Sequence, residues 1–191
     1  MKHKLFIIIL LFSFCSGYTQ DTAAIRLNNY RDKVFAVFNS CSLQDDAVTN
    51  TIKIKNVTEI EAGRKALLQC AIDGIKKLDT LENFYGDPAL KFSCRDVLKF
   101  YKQLAESDFP LIRDFFIIEE NFMKIKQEFK KKPARKYSET EIYAYNTEAK
   151  KYNEAVTRYI QLNNFIAASR KLTLYNWYSS EKIFMQAHKA K

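Results

Sequence analysis

Glycine and proline are scarce in this chain, with four glycines and three prolines in 191 residues. This composition excludes collagen-like and low-complexity segments and is typical of a protein built mostly from long helices. No internal repeat of about 20–50 residues is visible, so a solenoid is not indicated either.

Histidine is rarer still, and the usual catalytic motifs are missing. Of two histidines, only His188 lies outside the N-terminal segment. The chain has no Glu-x-x-His pair, no Cys-x-x-Cys, no Gly-x-Ser-x-Gly and no glycine-rich phosphate loop. Adjacent acids such as Asp45 and Asp46 cannot face each other on a helix, so we expect them on the solvated surface. The sequence predicts no catalytic residues, no metal site and no cofactor, and it favours binding or structure over catalysis.

The N-terminus has the pattern of a secretory signal peptide. Lys2 and Lys4 precede an apolar run at 5–14, and the small residues Ser16 and Gly17 follow. The run is shorter than the roughly 20 residues of a membrane-spanning helix. We therefore predict a signal peptide over 1–17, a single domain over 18–191 without a transmembrane helix, and export to the periplasm, the outer surface or the medium.

The positive charge is concentrated in one corner. Removing Lys2 and Lys4 lowers the net charge from +9 to +7. The densest basic run has Glu128 as its only acid and consists of Lys124, Lys126, Lys130, Lys131, Lys132, Arg135 and Lys136. Such a run is either a solvated helix corner or an anion-binding surface, for which Lys130, Lys131, Lys132, Arg135 and Lys136 are the candidates. An exported protein meets phosphates of the cell envelope more readily than nucleic acid.

Hydrophobic periodicity predicts four helices. The first spans about 21–50, and "TIKIKNV" at 51–57 is a turn or a short extended piece. A capping box at Thr58–Glu61 starts the second, which ends near Tyr85. In the corner Gly86-Asp87-Pro88, we expect Gly86 to be the left-handed residue that ends the second helix. We expect Asp87 to be the N-cap of the third helix and Pro88 to lie in its first turn. A second capping box, Ser138–Glu141, starts the last helix, which runs to about 189. Short corners between long helices predict an all-α, up-down-up-down four-helix bundle.

The third helix carries an apolar seam with a repeat of seven. Its positions are Leu90, Cys94, Val97, Tyr101, Leu104, Asp108, Leu111, Phe115, Ile118, Phe122, Ile125 and Phe129. This repeat predicts left-handed packing against another long helix. Pro110 lacks an N–H and crowds the preceding turn, so the helix is either kinked but continuous, which the unbroken register favours, or broken there.

The same register brings polar seam residues together. Folding the last two helices about residue 135 sets Asp108 opposite Asn163, Tyr101 opposite Arg170, and Cys94 opposite Trp177. A polar layer that fixes helix register is the interpretation we favour. The alternative is a small cofactor-binding or catalytic site in the bundle core.

The predicted helix lengths differ. A second helix of 28 residues and a third of 44 differ by about 24 Å, so the last two helices would project past the first pair. The projecting hairpin, at roughly 115–155, would expose an aromatic patch suited to a partner, formed by Phe122, Phe129, Tyr143, Tyr145 and Tyr152. Pro110 could instead bend the hairpin back over itself. For the tyrosines that follow residue 136 as a group, a position in the helix core is favoured over a stacking platform.

Three cysteines remain after signal removal: Cys41, Cys70 and Cys94. In the bundle, Cys41 and Cys70 differ in height by about 4.5 Å. A disulfide between them is geometrically allowed, and buried free thiols are an equally weighted alternative.

The stretch "ENFYGDPALKFSCRDVLKFYKQLAE", preceded by "EIEAGRKALLQCAIDGIKKL", resembles a family of small exported helical surface proteins of Leptospira and Bacteroidota. The shared features are Glu61-x-x-Arg64, the corner at residues 85–87, Leu98 and Tyr101, within about 60–130. The resemblance implies a signal-bearing helical surface protein of unknown biochemical role, without catalytic residues. The three cysteines and the basic corner are not features of that family.

Overall fold

The chain is all-helical in the residues that the structure, a computed structural model, describes: 2–131, 133 and 136–189, with side chains from residue 22 onward. The helices are α1 (Lys2–Lys53), α2 (Val57–Thr80), α3 (Ala89–Gln103), α4 (Phe109–Lys130) and α5 (Glu139–His188). A π-helical turn over Leu104–Asp108 joins α3 to α4 without a break. Four long helical segments result, which confirms the predicted all-α class and the number of helices.

The α1–α2 corner is a compact turn, not an extended piece. Lys55 takes the left-handed conformation (φ 56°), and the N–H of Asn56 donates to the carbonyl of Thr51 at 3.2 Å, as in a Schellman C-cap. The Asn56 side chain then caps α2 by accepting from the N–H of Glu59 at 3.1 Å. The capping box predicted at Thr58 is therefore wrong, because Asn56 caps the helix from an earlier position and Glu61 binds arginines instead.

The corner at Gly86 is a tight turn that follows α2, which ends at Thr80, earlier than predicted. Tyr85 and Gly86 are both left-handed (φ 47° and 80°), and the N–H of Asp87 donates to the carbonyl of Phe84 at 2.9 Å. The Asp87 carboxylate accepts from the N–H of Ala89, the first residue of α3, at 2.8 Å. The left-handed glycine is confirmed. The predicted N-cap is wrong by one residue, because Pro88 is the N-cap of α3 and Asp87 lies before it in the tight turn.

The π-helical turn carries the helix through Pro110. The N–H of Phe109 bonds to the carbonyl of Leu104, five residues back, so this turn holds one residue more than an α-helix would. The preferred prediction, a continuous third helix, is confirmed. The extra residue rotates everything after it by about 100° relative to a straight α-helix.

This rotation makes three predicted seam positions wrong. Leu111, Ile118 and Ile125 are 57%, 37% and 37% exposed, and Ile112 and Phe116 are buried in their place. Before the turn the predicted seam holds, since its members are all buried: Leu90, Cys94, Val97, Tyr101 and Leu104.

The first two helices approach closely and are covalently joined. Cys41 and Cys70 form a disulfide with their Cα atoms 5.6 Å apart, whereas Cys94 is a buried free thiol. A Cβ at Gly74 would lie 2.9 Å from the Leu98 side chain and 3.1 Å from the Val37 side chain, so a larger residue would force these side chains to shift where α1, α2 and α3 meet.

Helix α5 closes the core. It begins with the predicted capping box, in which Ser138 and Glu141 bond reciprocally. Trp177, 1% exposed, packs on Phe38 of α1 with ring centroids 5.1 Å apart. Near the end of α5, the Nε2 atom of His188 lies 2.8 Å from the Asp87 carboxylate, which ties α5 to the Gly86 corner.

Candidate functional site

The end of the α4–α5 hairpin lies beyond the other helices. The Lys55 ammonium, at the α1–α2 corner, donates to the Glu119 carboxylate at 2.7 Å, so that corner is level with residue 119. The eleven residues 120–130 of α4 continue for about 16 Å past this point, with the first residues of α5 beside them. We call this segment, residues 120–131 and 136–154, the hairpin end.

Stacked aromatic pairs join the two helices at every heptad. The ring centroids of Phe115 and Tyr159 are 4.1 Å apart, those of Phe122 and Tyr152 are 4.7 Å apart, and those of Phe129 and Tyr145 are 4.2 Å apart. Their interplanar angles are 12°, 15° and 20°. Because both partners recur every seven residues, these pairs fix the register of the hairpin.

The predicted exposed aromatic patch is mostly wrong. Phe122, Phe129, Tyr145 and Tyr152 stack against each other between the helices, and of the five predicted members only Tyr143, 75% exposed, faces solvent freely. For the tyrosines of the hairpin seam, the favoured core position is confirmed. The exposed apolar surface of the hairpin end instead comes from Ile125, Ile142 and Tyr143.

The basic residues belong to the same end of the hairpin. Lys130, Lys131 and Lys136 are exposed, whereas Lys132 and Arg135 lie outside the described residues. Two lysines are held by acids of their own helix: Lys124 by Glu120 at 2.7 Å and Lys131 by Glu128 at 2.5 Å. Within the described part of the chain, Lys126, Lys130 and Lys136 make no ion pair and are available to an external anion.

A groove of about 520 Å³ runs along the hairpin end. Its apolar walls include Ile125, Phe129, Ala144 and Tyr145, and the charged residues that line it are Lys124, Glu128, Glu141 and Glu148. Three carboxylates and one ammonium therefore line this recess.

The predicted polar layer is only partly assembled. Arg170 makes a two-pronged salt bridge to the Asp45 carboxylate on α1, with Nε at 2.9 Å and Nη2 at 2.8 Å. Asp45 is only 3% exposed, so its predicted place on the solvated surface is wrong, because α5 covers it and supplies the compensating charge. Burial raises the pKa of Asp45, and the Arg170 charge opposes that rise.

Asp108 is separate from this pair. It is 7% exposed, and its Oδ2 atom has no hydrogen-bond partner. Burial raises the pKa of Asp108. No hydrogen bond joins it to Asn163 among the described residues. The four predicted layer residues therefore do not converge on one site.

Burial favours the neutral forms of two further core groups, Tyr101 and Cys94. Burial raises the pKa of Tyr101 to about 12, against a lowering by the Ser42 side chain, and raises the pKa of the Cys94 thiol to about 12. Tyr101 is also 1% exposed. Groups this buried are poorly suited to contact a substrate.

Sequence reasoning missed two functional contacts, those of Asp45 and Lys55. Asp45 lies on the buried stripe of α1. It follows Cys41 by four residues and precedes Val48 by three, and Cys41 follows Phe38 by three. Lys55 gave no such signal, because its contact with Glu119 depends on the relative height of two distant helices.

No protein-family model, curated protein or solved structure matches this chain. Among residues whose side chains are described, no group of three or more His, Cys, Asp or Glu is placed to hold a metal ion. No helix in the described part of the chain is long and apolar enough to cross a membrane.

Proposed function

We propose that this protein is an exported binding module of the bacterial cell envelope, whose hairpin end holds an anionic envelope component. The observation that carries the proposal is the set of unpaired lysines, Lys126, Lys130 and Lys136, beside an exposed apolar surface at the free end of two helices. Unpaired lysines close together raise the local potential for anions, and the exposed Ile125, Ile142 and Tyr143 offer apolar contact to the rest of the ligand.

The proposed architecture is an up-down-up-down bundle in which the α4–α5 hairpin is the longer half. Several pairs support it. The contacts of Arg31 with Glu181 and Asp45 with Arg170 indicate that α1 and α5 run in opposite directions. The three aromatic pairs indicate the same for α4 and α5. A rigid bundle would present its hairpin end at a fixed distance from its core.

The proposed role is binding and not catalysis. The core residues considered for an alternative catalytic or cofactor site are engaged elsewhere: Arg170 binds Asp45, and Tyr101 is buried against α1. The hairpin end, by contrast, has its polar groups in solvent.

The experiment is a calorimetric titration of the mature chain with purified lipopolysaccharide, whose phosphates supply dense negative charge. Saturable binding that weakens as salt is raised is expected, because exposed charge pairs are screened over about 10 Å at 0.1 M ionic strength. Absence of binding at low salt, or binding insensitive to salt, would contradict the proposal.

A further inference from the structure

The outward face of α5 carries a long stripe without charge. Its residues follow each other at spacings of three and four, which places them on one side of the helix. They are Gln161, Phe165, Ala168, Leu172, Tyr175, Ser179, Ile183 and Gln186. The stripe is about 38 Å long, at 1.5 Å per residue.

Large apolar side chains on this stripe are exposed. Phe165, Leu172, Tyr175 and Ile183 are 55%, 61%, 69% and 65% exposed. Four such residues in one row make an apolar patch of the kind that marks an interaction surface, whereas single exposed apolar residues are normal. Trp177 and Phe184, on the opposite side of the same helix, are buried in the core, so the stripe is a second apolar face of α5.

Lysines border the stripe on one edge, and no free acid opposes them. Lys171, Lys182 and Lys189 are exposed, lie eleven and seven residues apart, and make no ion pair among the described residues. The only acid between residues 159 and 189 is Glu181, which accepts from Arg31 of α1 at 2.7 Å. Among the residues of α5 itself, the edge is therefore purely positive.

We propose that α5 docks side-on to a bilayer surface containing anionic lipids. An amphipathic helix with aromatic and aliphatic residues on one face and lysines at its border lies in the membrane interface. Its apolar side chains enter the acyl boundary, and the lysine stems reach back to the headgroups. This inference goes beyond the proposed function, since it uses a different surface from the hairpin end.

Charge decides between this occupant and a second copy of the chain. An antiparallel twofold pairing of α5 would set the lysine edges of both copies side by side, where they repel. An anionic bilayer complements all three lysines at once, and each lysine near such a surface strengthens binding about fivefold.

The test is sedimentation of the full mature chain with vesicles of phosphatidylglycerol and phosphatidylcholine, compared with phosphatidylcholine alone. The wild type is expected to bind only the anionic vesicles. Lys171→Gln with Lys182→Gln should weaken binding about thirtyfold, and Leu172→Gln with Ile183→Gln about tenfold or more. The matched controls are Lys76→Gln with Lys77→Gln and Leu43→Gln with Ile54→Gln, exposed on other helices, and these should bind as the wild type does.

A second readout reports contact directly. In the Leu172→Trp variant, tryptophan emission should shift to shorter wavelength on adding anionic vesicles, because residue 172 enters the acyl boundary. Trp177, the chain's only tryptophan, is buried and gives a constant background.

An absent shift together with wild-type binding by both α5 double variants would overturn the inference. So would binding lost only in Lys126→Glu with Lys130→Glu, which would assign the membrane to the hairpin end. A stable dimer split by Leu172→Gln with Ile183→Gln, without vesicle binding, would assign the stripe to a second copy.

Discussion

The guanidinium of Arg64 on α2 donates to the main-chain carbonyl of Ala105 at 3.3 Å. This oxygen has no helical partner, because the N–H of Phe109 bonds to Leu104 instead and the next residue, Pro110, has no N–H. Arg64 thus supplies the hydrogen bond that the π-helical turn removes. The Arg64 guanidinium is itself held by the Glu61 carboxylate. The hydrogen bond between Arg64 and Glu61 is the chief reason that the pKa of Glu61 is lowered to about 2.

Replacing Arg64 should lower the free energy of unfolding, because the π-helical turn leaves the Ala105 carbonyl without a helical donor. Arg64→Met is expected to lower the free energy of unfolding by about 1–3 kcal/mol, because a buried carbonyl loses its donor. In a Pro110→Ala background the new N–H can serve that carbonyl, so the same change should cost less. Urea unfolding of the wild type, Arg64→Met, Pro110→Ala and the variant with both changes forms a double-mutant cycle. A coupling of zero between the two sites would show that Arg64 does not compensate for the proline.

The buried pair of Asp45 and Arg170 should be sensitive to the loss of one partner. Arg170→Met leaves the Asp45 carboxylate buried without its cation, and we expect a loss of about 3–5 kcal/mol in the free energy of unfolding. Asp45→Leu combined with Arg170→Met should recover most of that loss. Arg158→Met, at an exposed arginine of the same helix, is the control. An equal loss in the single and double variants would contradict the charge argument.

Asp108 should weaken the fold as pH rises. Burial raises its folded pKa above the ordinary value near 3.9, so the folded protein retains a proton that the unfolded chain releases. Stability therefore falls from about pH 4 up to the folded pKa and stays low above it. Asp108→Leu should raise the free energy of unfolding at pH 7 by about 1 kcal/mol or more and flatten this fall.

Urea unfolding of the Asp108→Leu variant at several pH values checks the sign. The exposed Asp96→Leu variant serves as control, since its carboxylate is in solvent. Asp45 titrates in the same sense as Asp108, so only the difference between variant and wild type is assigned to Asp108. A variant less stable than the wild type at pH 7 would mean that the carboxyl has a stabilising partner.

The Cys41–Cys70 disulfide should leave one reactive thiol in a protein of residues 18–191. Alkylation of the unfolded, unreduced protein is expected to label Cys94 alone. Cys41→Ala with Cys70→Ala should lower the free energy of unfolding by about 3 kcal/mol, mainly because the unfolded chain gains freedom. Labelling at three cysteines would rule the bridge out.

The helices themselves could be predicted from local chemistry. Apolar spacing located the helices, Ser138 marked the start of α5, and Gly86 marked a left-handed turn, because capping and left-handed turns depend on a few adjacent residues. The limits of α2 were less predictable. Asn56 competes with Thr58 for the N-cap, and Thr80 ends the helix before a turn whose left-handed Tyr85 no propensity indicates.

Features that depend on distant residues were not predictable. The heptad pattern continues through Pro110 in the sequence. The π-helical turn that accommodates the proline rotates Leu111 and Ile118 outward, and the heptad pattern does not indicate this turn. Likewise, Asp45 had no visible partner until α5 brought Arg170 alongside it. The paired lysines of the basic run, by contrast, were predictable, because Glu120 lies four residues before Lys124 and Glu128 three residues before Lys131 on the same helix.

The most direct test of the central claim, that the hairpin end holds an anionic envelope component, is the dissociation constant for lipopolysaccharide of a charge-reversal variant. Lys126→Glu, Lys130→Glu and Lys136→Glu together remove the unpaired cations, whereas Lys76→Glu, Lys77→Glu and Lys65→Glu change the net charge equally on α2. The account predicts a loss of about a hundredfold for the first variant, since each cation near an anionic surface contributes about 1 kcal/mol, and near wild-type affinity for the second. Equal affinities in the two variants would contradict it.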